Sequence, residues 1–435
     1  MRISNTSTPV VVLISGDHGP LGITRSLGRL GVPVYVIDPH RFTPSSFSKY
    51  CKGKYVWDID NHRPSETLAF LENVGRELSS RPILIPTSDP VAVFVADNLT
   101  CLSHSFLIPE LRPALVHGLS DKKQMYFLAK KYSIPTPETV FPKSKTDVLE
   151  FLDRAAFPVM LKGIDGMRLW KRTGRKMFIV WDARELLERY DAAEDPEFPN
   201  LMIQEYIPGG DDTVWMFNGY FNRNSDCLLG VTGKKIRQCP IHTGATSLGI
   251  CLENEVVQQT TKTFMKRIGY QGILDIGYRY DARDGQFKVL DVNPRIGASF
   301  RLFTTSNGMD VARALYLDLT GQEVPASVAE LGRTWLVEDS DLVSFYRYRQ
   351  EGTLSFKAWL NSLRGVRESA YLSKDDLLPL VPLCIHRFAE LVRRIGKQFS
   401  LEARETGSAF PRAELPYPPA PLCSGEPRPA DTNIS

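Results

Sequence analysis

Residues 286–295 read Gln-Phe-Lys-Val-Leu-Asp-Val-Asn-Pro-Arg, an apolar strand pattern that carries two polar side chains near its end. Side chains alternate along a strand, so Asp291 and Asn293 project from the same face. A carboxylate and an amide oxygen side by side suit a hard divalent cation that also holds phosphates. The alternative is two solvated polar residues on an exposed face. It fits less well because the strand is mostly apolar and Pro294-Arg295 follows it.

The residues around this strand extend the candidate site. Arg295 offers a fork-shaped cation to a carboxylate or a phosphate. One strand earlier, residues 272–281 read Gly-Ile-Leu-Asp-Ile-Gly-Tyr-Arg-Tyr-Asp. A hairpin through residues 281–285 would bring Asp275 beside Asp291 as a second carboxylate.

Lys162 ends the apolar strand Val-Met-Leu-Lys at residues 159–162, and Gly163 and Gly166 follow it. Lysine is rarely buried without a partner. We therefore interpret Lys162 as a point charge for nucleotide phosphates, with the glycine loop closing above them. The alternative is a lysine that extends its ammonium group from the strand end into water.

A hinge follows the apolar strand at residues 201–206, where Pro208-Gly-Gly precedes Asp211 and Asp212. Such a hinge can present backbone groups to the edge of an adenine, while an acidic side chain binds ribose hydroxyls. Taken alone, the same pattern is an ordinary β-turn.

Together these motifs resemble the ATP-grasp superfamily over roughly residues 120–310. The matched segments are Asp121-Lys122, residues 157–162, residues 204–209 with Asp211, and residues 291–295. The most similar subgroup is the carboxylate–amine ligases, which include D-aspartate ligase and D-alanine–D-alanine ligase. Members place ATP between two α+β subdomains, so the resemblance implies ATP and Mg2+ as cofactors.

The resemblance also implies a role for each matched residue. These roles fall on Lys122 and Lys162 for the ATP phosphates, on Glu205, Tyr206 and Ile207 for adenine, on Asp211 for the ribose, on Asp275, Asp291 and Asn293 for magnesium, and on Arg237 and Arg295 for the oxyanion of the reaction. His242 is the only histidine that the sequence places near this site, and a hydrogen-bonding role is expected for it rather than general-base catalysis.

Two departures from the family pattern stand out. Gly277 occupies a position where relatives often carry an acidic residue, so Asp275 would have to supply that carboxylate. Residues 163–174 carry Arg168, Trp170 and Lys171 in place of small residues. These departures motivate an alternative function, a nucleotide-binding regulatory protein without turnover.

The fold expected is α/β followed by α+β. Residues 1–118 begin with a strand, a glycine-containing turn, a helix and a second strand, which predicts a Rossmann-like domain. Its glycines at 16, 19 and 22 do not match the dinucleotide fingerprint, so they are expected to allow tight packing of the helix. A two-subdomain ATP-grasp domain is predicted for residues 119–330, a helical extension for 331–404 and a disordered tail for 405–435.

Composition limits the function classes. The chain has 435 residues and a formal charge of +3, which gives no reason to expect nucleic acid as a partner. Seven cysteines without metal-type spacing indicate a reducing compartment, and a cytoplasmic location is expected. Residues 379–399 are basic and apolar on one side, which is compatible with peripheral membrane contact, although a helix packed on the rest of the protein is the favoured interpretation. A homodimer is also compatible with the sequence.

The function predicted is an ATP-dependent ligase that activates a carboxylate as an acyl phosphate and joins it to an amine. Both substrates are expected to be small molecules. One alternative is carboxylation through carboxyphosphate, and the other is the regulatory protein described above.

Overall fold

The computed structural model describes residues 1–13, 18–78, 80–195 and 197–389. Met1–Leu383 form one compact unit, and the described residues of a second unit, 384–389, are helical. The remainder of the basic segment predicted at 379–399, and the predicted tail, lie outside the described residues. Among the residues described, no helix combines the length and the apolar character that are needed to cross a bilayer.

The N-terminal region is built on a parallel sheet with strand order β3-β2-β1-β4. Strand β1 is fully buried, as expected for a parallel strand covered on both faces. The predicted strand–helix–strand opening is therefore confirmed. The elements are β1 (Val10–Leu13), α1 (His18–Gly28), β2 (Val34–Asp38), α2 (Pro44–Phe47), β3 (Cys51–Val56), α3 (Pro64–Glu77), β4 (Ile83–Pro86), α4 (Asp89–Asp97), α5 (Leu99–Ser105) and α6 (Pro113–Ser120).

The next region contains an antiparallel sheet with strand order β5-β8-β6-β7. Residues 163–174 were predicted as a loop, but they contain a helix. Asp165 caps this helix by accepting hydrogen bonds from the backbone N–H groups of Met167 (2.8 Å) and Arg168 (3.2 Å). The elements are α7 (Lys122–Lys131), β5 (Thr139–Val140), α8 (Lys145–Leu152), β6 (Val159–Gly163), α9 (Gly166–Thr173), β7 (Met177–Val180), α10 (Ala183–Ala193) and β8 (Leu201–Glu205).

A larger sheet follows, with strand order β13-β12-β9-β10-β11-β14-β15 in the described residues. Its last two strands come from the C-terminal extension, which the sequence had predicted only as helical. The elements are β9 (Val214–Phe221), β10 (Cys227–Cys239), β11 (Ala245–Cys251), α11 (Glu255–Ile268), β12 (Gly272–Asp281), β13 (Gln286–Asn293), α12 (Val311–Leu319), β14 (Thr334–Leu336), α13 (Glu338–Gln350), α14 (Phe356–Ser362) and β15 (Val366–Ser369).

Helix α1 packs directly against the segment that follows β13. A Cβ atom added to Gly22 would lie 2.9 Å from Phe300 Cε1, so only glycine allows this approach without displacing the ring. The expectation that these glycines serve packing is confirmed at this position. The contact brings the N-terminal region against the strand that carries Asp291 and Asn293.

The C-terminal extension is held to the N-terminal region by buried charges. Arg25 Nε lies 2.9 Å from Asp376 Oδ2, and both side chains are almost fully buried. Arg25 also donates to the carbonyl oxygens of Ala370 and Tyr371. The extension therefore contributes to the same core as α1.

Candidate active site

One cavity of about 960 Å³ contains nearly all of the predicted site residues. It is lined by the N-terminal region, by the strands around β6 and β8, and by β10, β12 and β13. The predicted residues in its wall are Lys122, Lys162, Glu205, Tyr206, Ile207, Asp211, Asp275, Asp291, Asn293 and Arg295. Arg237 does not line the cavity.

Two predicted lysines enter the cavity from different elements. Lys162 ends β6 and donates to Gln204 Oε1 at 2.7 Å, while Lys122 begins α7 and donates to the carbonyl oxygen of Ile164 at 2.9 Å. Burial lowers the pKa of Lys162 to about 8, although Asp291 opposes the shift. Burial also lowers the pKa of Lys122, again against the field of Asp291. A bound anion would therefore stabilise both ammonium groups.

Lys235 is a third cavity lysine, which sequence reasoning did not select. It lies on β10 and donates to the carbonyl oxygen of Gly244 at 2.8 Å and to Gln238 Oε1 at 3.2 Å. Burial lowers the pKa of Lys235, while Asp291 and Asp275 oppose the shift. The cluster of cations at Lys234, Lys235 and Arg237 is a local signal, but it does not show which side chain enters the cavity.

Arg237 points away from the cavity because β10 is irregular there. Register shifts lie on both sides of Arg237, between Lys235 and Gln238, so simple alternation does not apply. The guanidinium is buried and makes two parallel bonds to Asp341, of 2.8 and 2.9 Å. Its fork recognises a carboxylate as expected, but that carboxylate belongs to α13.

The predicted hairpin brings the acidic residues together. Asp275 is paired with Asn293, and Gly277 with Asp291, across β12 and β13. Asn293 Nδ2 donates to Asp275 Oδ2 at 3.1 Å and to Asp291 Oδ2 at 3.3 Å. Burial raises the pKa of Asp275, and Asp291 adds to the shift. The amide nitrogen of Asn293 thus contacts both carboxylates, while its oxygen accepts from Arg295 Nη2 at 3.4 Å.

Gly277 leaves space beside this group. A Cβ atom added there would lie 2.7 Å from Asp291 Oδ1, so a side chain would occupy the place where that carboxylate lies. Among the described residues, no cluster of three or more Asp, Glu, His or Cys side chains has the geometry of a metal site. Any cation here would rely on two carboxylates, the amide oxygen and phosphate oxygens.

Arg295 connects the hairpin to the N-terminal region. Its Nε donates to Asp89 Oδ1 at 2.7 Å, and its Nη1 donates to the carbonyl oxygen of Ile296 at 3.1 Å. Asp89 is the first residue of α4 and also lines the cavity. Sequence reasoning missed Asp89, whose partner lies 206 positions away.

The hinge after β8 forms a flat, apolar part of the wall. The backbone N–H of Glu205 donates to the carbonyl oxygen of Glu138, and Arg279 Nη2 donates to that of Gly209 at 2.6 Å. Glu205 itself is held by Arg283 and Lys288. Apolar side chains in this part of the wall are Met160, Ile179, Ile207, Val214 and Leu290.

Both oxygens of the Asp211 carboxylate accept hydrogen bonds from the protein. Gln238 Nε2 donates to Oδ1 at 2.9 Å, and the hydroxyl of Tyr348 donates to Oδ2. His242 Nδ1 lies 3.7 Å from the same carboxylate, and its Nε2 lies 2.9 Å from Glu351 Oε2. This arrangement agrees with the hydrogen-bonding role expected for His242.

His242 is not the only histidine at the site. His18, the first residue of α1, also lines the cavity. The sequence expectation was wrong on this point because the position of α1 depends on contacts with segments far along the chain.

The sequence is similar to that of known enzymes, although no model of a known protein family matches it. It is 25% identical over 319 residues to D-aspartate ligase of Enterococcus faecium (strain Aus0004), covering 70% of this chain and 75% of that enzyme. It is 24% identical over 256 residues to the C-terminal section of the carbamoyl phosphate synthase large chain of Methanopyrus kandleri. That match covers 57% of this chain but only 45% of that protein.

Solved structures share the fold. The L-amino acid ligase of Bacillus licheniformis has a TM-score of 0.54 at 15% identity, covering 73% of this chain and 75% of that one. The N5-carboxyaminoimidazole synthetase of Staphylococcus aureus, solved with ADP, has a TM-score of 0.58 at 15% identity, covering 80% and 89%. The biotin carboxylase domain of Hydrogenobacter thermophilus 2-oxoglutarate carboxylase, a dimer solved with MgADP, ADP and bicarbonate, has a TM-score of 0.57 at 16% identity, covering 74% and 73%. None of these relatives supports the predicted membrane contact.

Proposed function

We propose that this chain, which belongs to the ATP-grasp superfamily, is a ligase that uses ATP and magnesium to join a carboxylic acid to an amine through an acyl phosphate. The observation that carries the proposal is the convergence of Lys122, Lys162 and Lys235 around Asp291 in one cavity. The cavity is lined by six Lys and Arg side chains and by five Asp and Glu side chains, which leaves a small excess of positive charge. A polyphosphate with a divalent cation would neutralise it.

The nucleotide would lie between the two ATP-grasp subdomains. The apolar wall around Ile207 suits the adenine ring, and the backbone of residues 205–207 suits its hydrogen-bonding edge. Asp211 would face the ribose, with its carboxylate oriented by Gln238 and Tyr348. Lys122 and Lys162 would then contact the phosphates, which suits their lowered pKa values because a phosphate restores the charged form.

The residues present fit magnesium. Asp291 and Asp275 offer hard oxygen ligands, Asn293 would add its amide oxygen, and Gly277 leaves room for the carboxylate of Asp291. When bound, the ion neutralises charge on the transferring phosphoryl group. Asp275 takes the place of the carboxylate that Gly277 lacks.

The acid substrate would bind beside Arg295. One of its carboxylate oxygens attacks the γ-phosphorus, forming the acyl O–P bond as the P–O bond to ADP breaks. The amine then attacks the acyl carbon, and inorganic phosphate leaves. Lys235 would stabilise the tetrahedral oxyanion together with Arg295, which lines the cavity while paired with Asp89. Arg237 has no part in this proposal because its guanidinium is bound to Asp341.

Ligation is favoured over carboxylation by the sequence likeness. The D-aspartate ligase match spans 75% of that enzyme, whereas the structures of carboxylating enzymes are similar in fold alone. The regulatory alternative rests on Gly277 and on α9. Asp275 would supply the carboxylate that Gly277 lacks, because it lies on the same strand and its charge interacts with that of Asp291.

A hydroxamate screen tests the proposal. The full chain is incubated with Mg-ATP, a panel of D- and L-amino acids and hydroxylamine, and both hydroxamate and ADP are measured. We expect acid-dependent hydroxamate formation with equal release of ADP, followed by identification of a natural amine in a second panel. Asp291→Asn should abolish this turnover while Mg-ADP still binds.

The other functions give different results in the same screen. ADP release that requires bicarbonate and yields no hydroxamate would indicate carboxylation. Nucleotide binding without any acid-dependent turnover would indicate a regulatory protein.

A further inference from the structure

Part of the cavity wall is not used by the nucleotide. His18, Thr87, Ser88 and Asp89 enter from the N-terminal region, and Ala298 and Ser299 follow Arg295. This end of the cavity therefore lies beyond the group that would orient the acid. It is the place from which an amine can approach the acyl carbon.

The imidazole of His18 is held in a defined orientation. Its ring centroid lies 5.3 Å from that of Trp335 and 6.0 Å from that of Tyr371, which presents an edge-to-face contact. Both aromatic residues are buried, and they come from β14 and from the segment after β15. A ring packed between two buried aromatic residues has few rotamers available, yet His18 still reaches the cavity.

The packing of α1 places its first turn against the segment that follows Arg295. Gly22, one turn after His18, contacts Phe300 at a distance that excludes any side chain. Phe300 in turn follows Arg295 by five positions. The start of α1 thus lies beside the segment that carries Arg295, Ala298 and Ser299.

The arginines near His18 are paired with carboxylates. The charged and titratable groups on the elements packed around it are Asp38, Arg25, Arg29, Asp89, Arg295, Arg301, Asp310, Arg313, Arg333, Glu338, Glu368, Tyr371, Asp375 and Asp376. Every guanidinium in this set has a carboxylate oxygen within 3.7 Å. Glu338 accepts from the backbone N–H groups of Tyr371 and Leu372. A ring nitrogen of an imidazole can accept a proton, which is the chemistry that a base at this end of the cavity needs.

We propose that His18 accepts the proton from the amine that attacks the acyl phosphate. An amine is mostly protonated near neutral pH and must lose a proton to become a nucleophile. His18 takes one proton from the ammonium group, and the free amine then attacks the acyl carbon. As the N–C bond forms and the C–O bond to phosphate breaks, the departing phosphate takes the second N–H proton, and His18 later releases its own proton to water. This inference rests on the proposed ligase function and adds a residue to it.

His242 is the rival histidine. It lies beside Asp211, where the ribose would be, and it is paired with Glu351. Its surroundings favour a fixed hydrogen bond near the nucleotide. His242→Gln therefore tests whether any cavity histidine would give the same result as His18→Gln.

The test compares two amines. Hydroxylamine is largely unprotonated near neutral pH and needs no base, whereas the natural amine found in the screen does. We expect His18→Gln to lose about 100-fold in turnover with the natural amine and to keep hydroxamate formation within about threefold. Its rate with the natural amine should rise with pH as free amine becomes available. His117→Gln, which changes an exposed histidine paired with Asp97, should leave both rates unchanged.

Several outcomes would overturn the assignment. They are equal losses with both amines, no loss with either, or the same selective loss in His242→Gln. Mg-ADP binding, measured by calorimetry, checks that each variant is folded, and His18→Asn replaces His18→Gln if the latter fails to bind. Absence of hydroxamate formation in the unaltered protein would instead contradict the ligase function itself.

Discussion

At the scale of single residues, the site depends on charged groups held out of water. Lys162 shows this most clearly, because burial lowers its pKa to about 8 while Asp291 and Gln204 keep its ammonium group oriented. Such a lysine is expensive to bury without an anion. Binding of phosphate at the proposed site would offset that cost, which would tie nucleotide affinity to the protonation of one side chain.

We therefore expect Lys162→Ala to weaken Mg-ADP binding by about 1.5–3 kcal/mol, the contribution of a hydrogen bond to a charged group. Affinity in the unaltered protein should also fall as pH rises above about 8, because the free lysine then loses the proton that the phosphate requires. Calorimetry from pH 7 to pH 9.5 measures both effects. Lys171→Ala, on the exposed face of α9, is the matched control. Unchanged affinity in a folded Lys162→Ala protein would remove this lysine from the phosphate site.

At the scale of elements, strand β10 points the side chains of one lysine and one arginine in different directions. A regular strand would place both on the same face. The irregularity around Arg237 directs Lys235 into the cavity and Arg237 toward α13. Asp341 accepts from Arg237, from Trp359 Nε1 at 2.9 Å and from Ser247 Oγ at 3.2 Å. This buried group joins β10 and β11 to both helices of the extension.

Removing one partner of this pair should be costly. Asp341→Ala leaves the guanidinium of Arg237 buried and uncompensated, so we expect a loss of about 3–5 kcal/mol in the free energy of unfolding. The double variant Arg237→Met with Asp341→Leu should recover most of that loss. Urea unfolding measures both. Glu188→Ala breaks an exposed pair with Arg184 and should cost at most about 1 kcal/mol. A similar small loss in Asp341→Ala would show that the buried pair contributes little.

The same element shows which parts of the structure the sequence could predict. Strands β6, β8, β12 and β13 were predictable because each is a local apolar run, and the hairpin followed from the short connection between the last two. Strands β10 and β11 were not predicted, since the lysines, arginine and glutamine of β10 and the small residues of β11 obscure the alternation. The irregularity in β10 depends on its pairing with β11, which no local pattern reveals. The cavity was therefore predicted through its hairpin and hinge, while Lys235 was missed.

At the scale of the whole molecule, residues far apart in sequence complete the site. His18 is oriented by Trp335 and Tyr371, which lie more than 300 positions later, and Asp89 reaches Arg295 across the boundary between regions. Such contacts form only when the N-terminal sheet, the seven-stranded sheet and the extension pack together. For this reason sequence reasoning found the nucleotide half of the cavity but not the N-terminal half.

The contact that holds this arrangement is Arg25 with Asp376. Arg25 donates to Asp376 Oδ2 and to the carbonyl oxygens of Ala370 and Tyr371, while Ser48 Oγ donates to the same carboxylate at 2.7 Å. Arg25→Met would leave Asp376 buried with one partner fewer. We expect the segment after β15 to detach more often, because an uncompensated buried charge costs about 3 kcal/mol or more.

Native-state digestion with trypsin measures that detachment through cleavage after the exposed Lys374. Cleavage should be about 100-fold faster in Arg25→Met than in the unaltered protein, since the open population rises tenfold for each 1.4 kcal/mol lost. Arg29→Met is the matched control: it removes the partly exposed pair with Asp375, which should change the rate by less than about fivefold. Because Tyr371 lies in the released segment, Arg25→Met should also lose turnover with the natural amine while it keeps Mg-ADP binding. Equal cleavage of the two variants would show that Arg25 does not hold the extension, and the position of His18 would then need another cause.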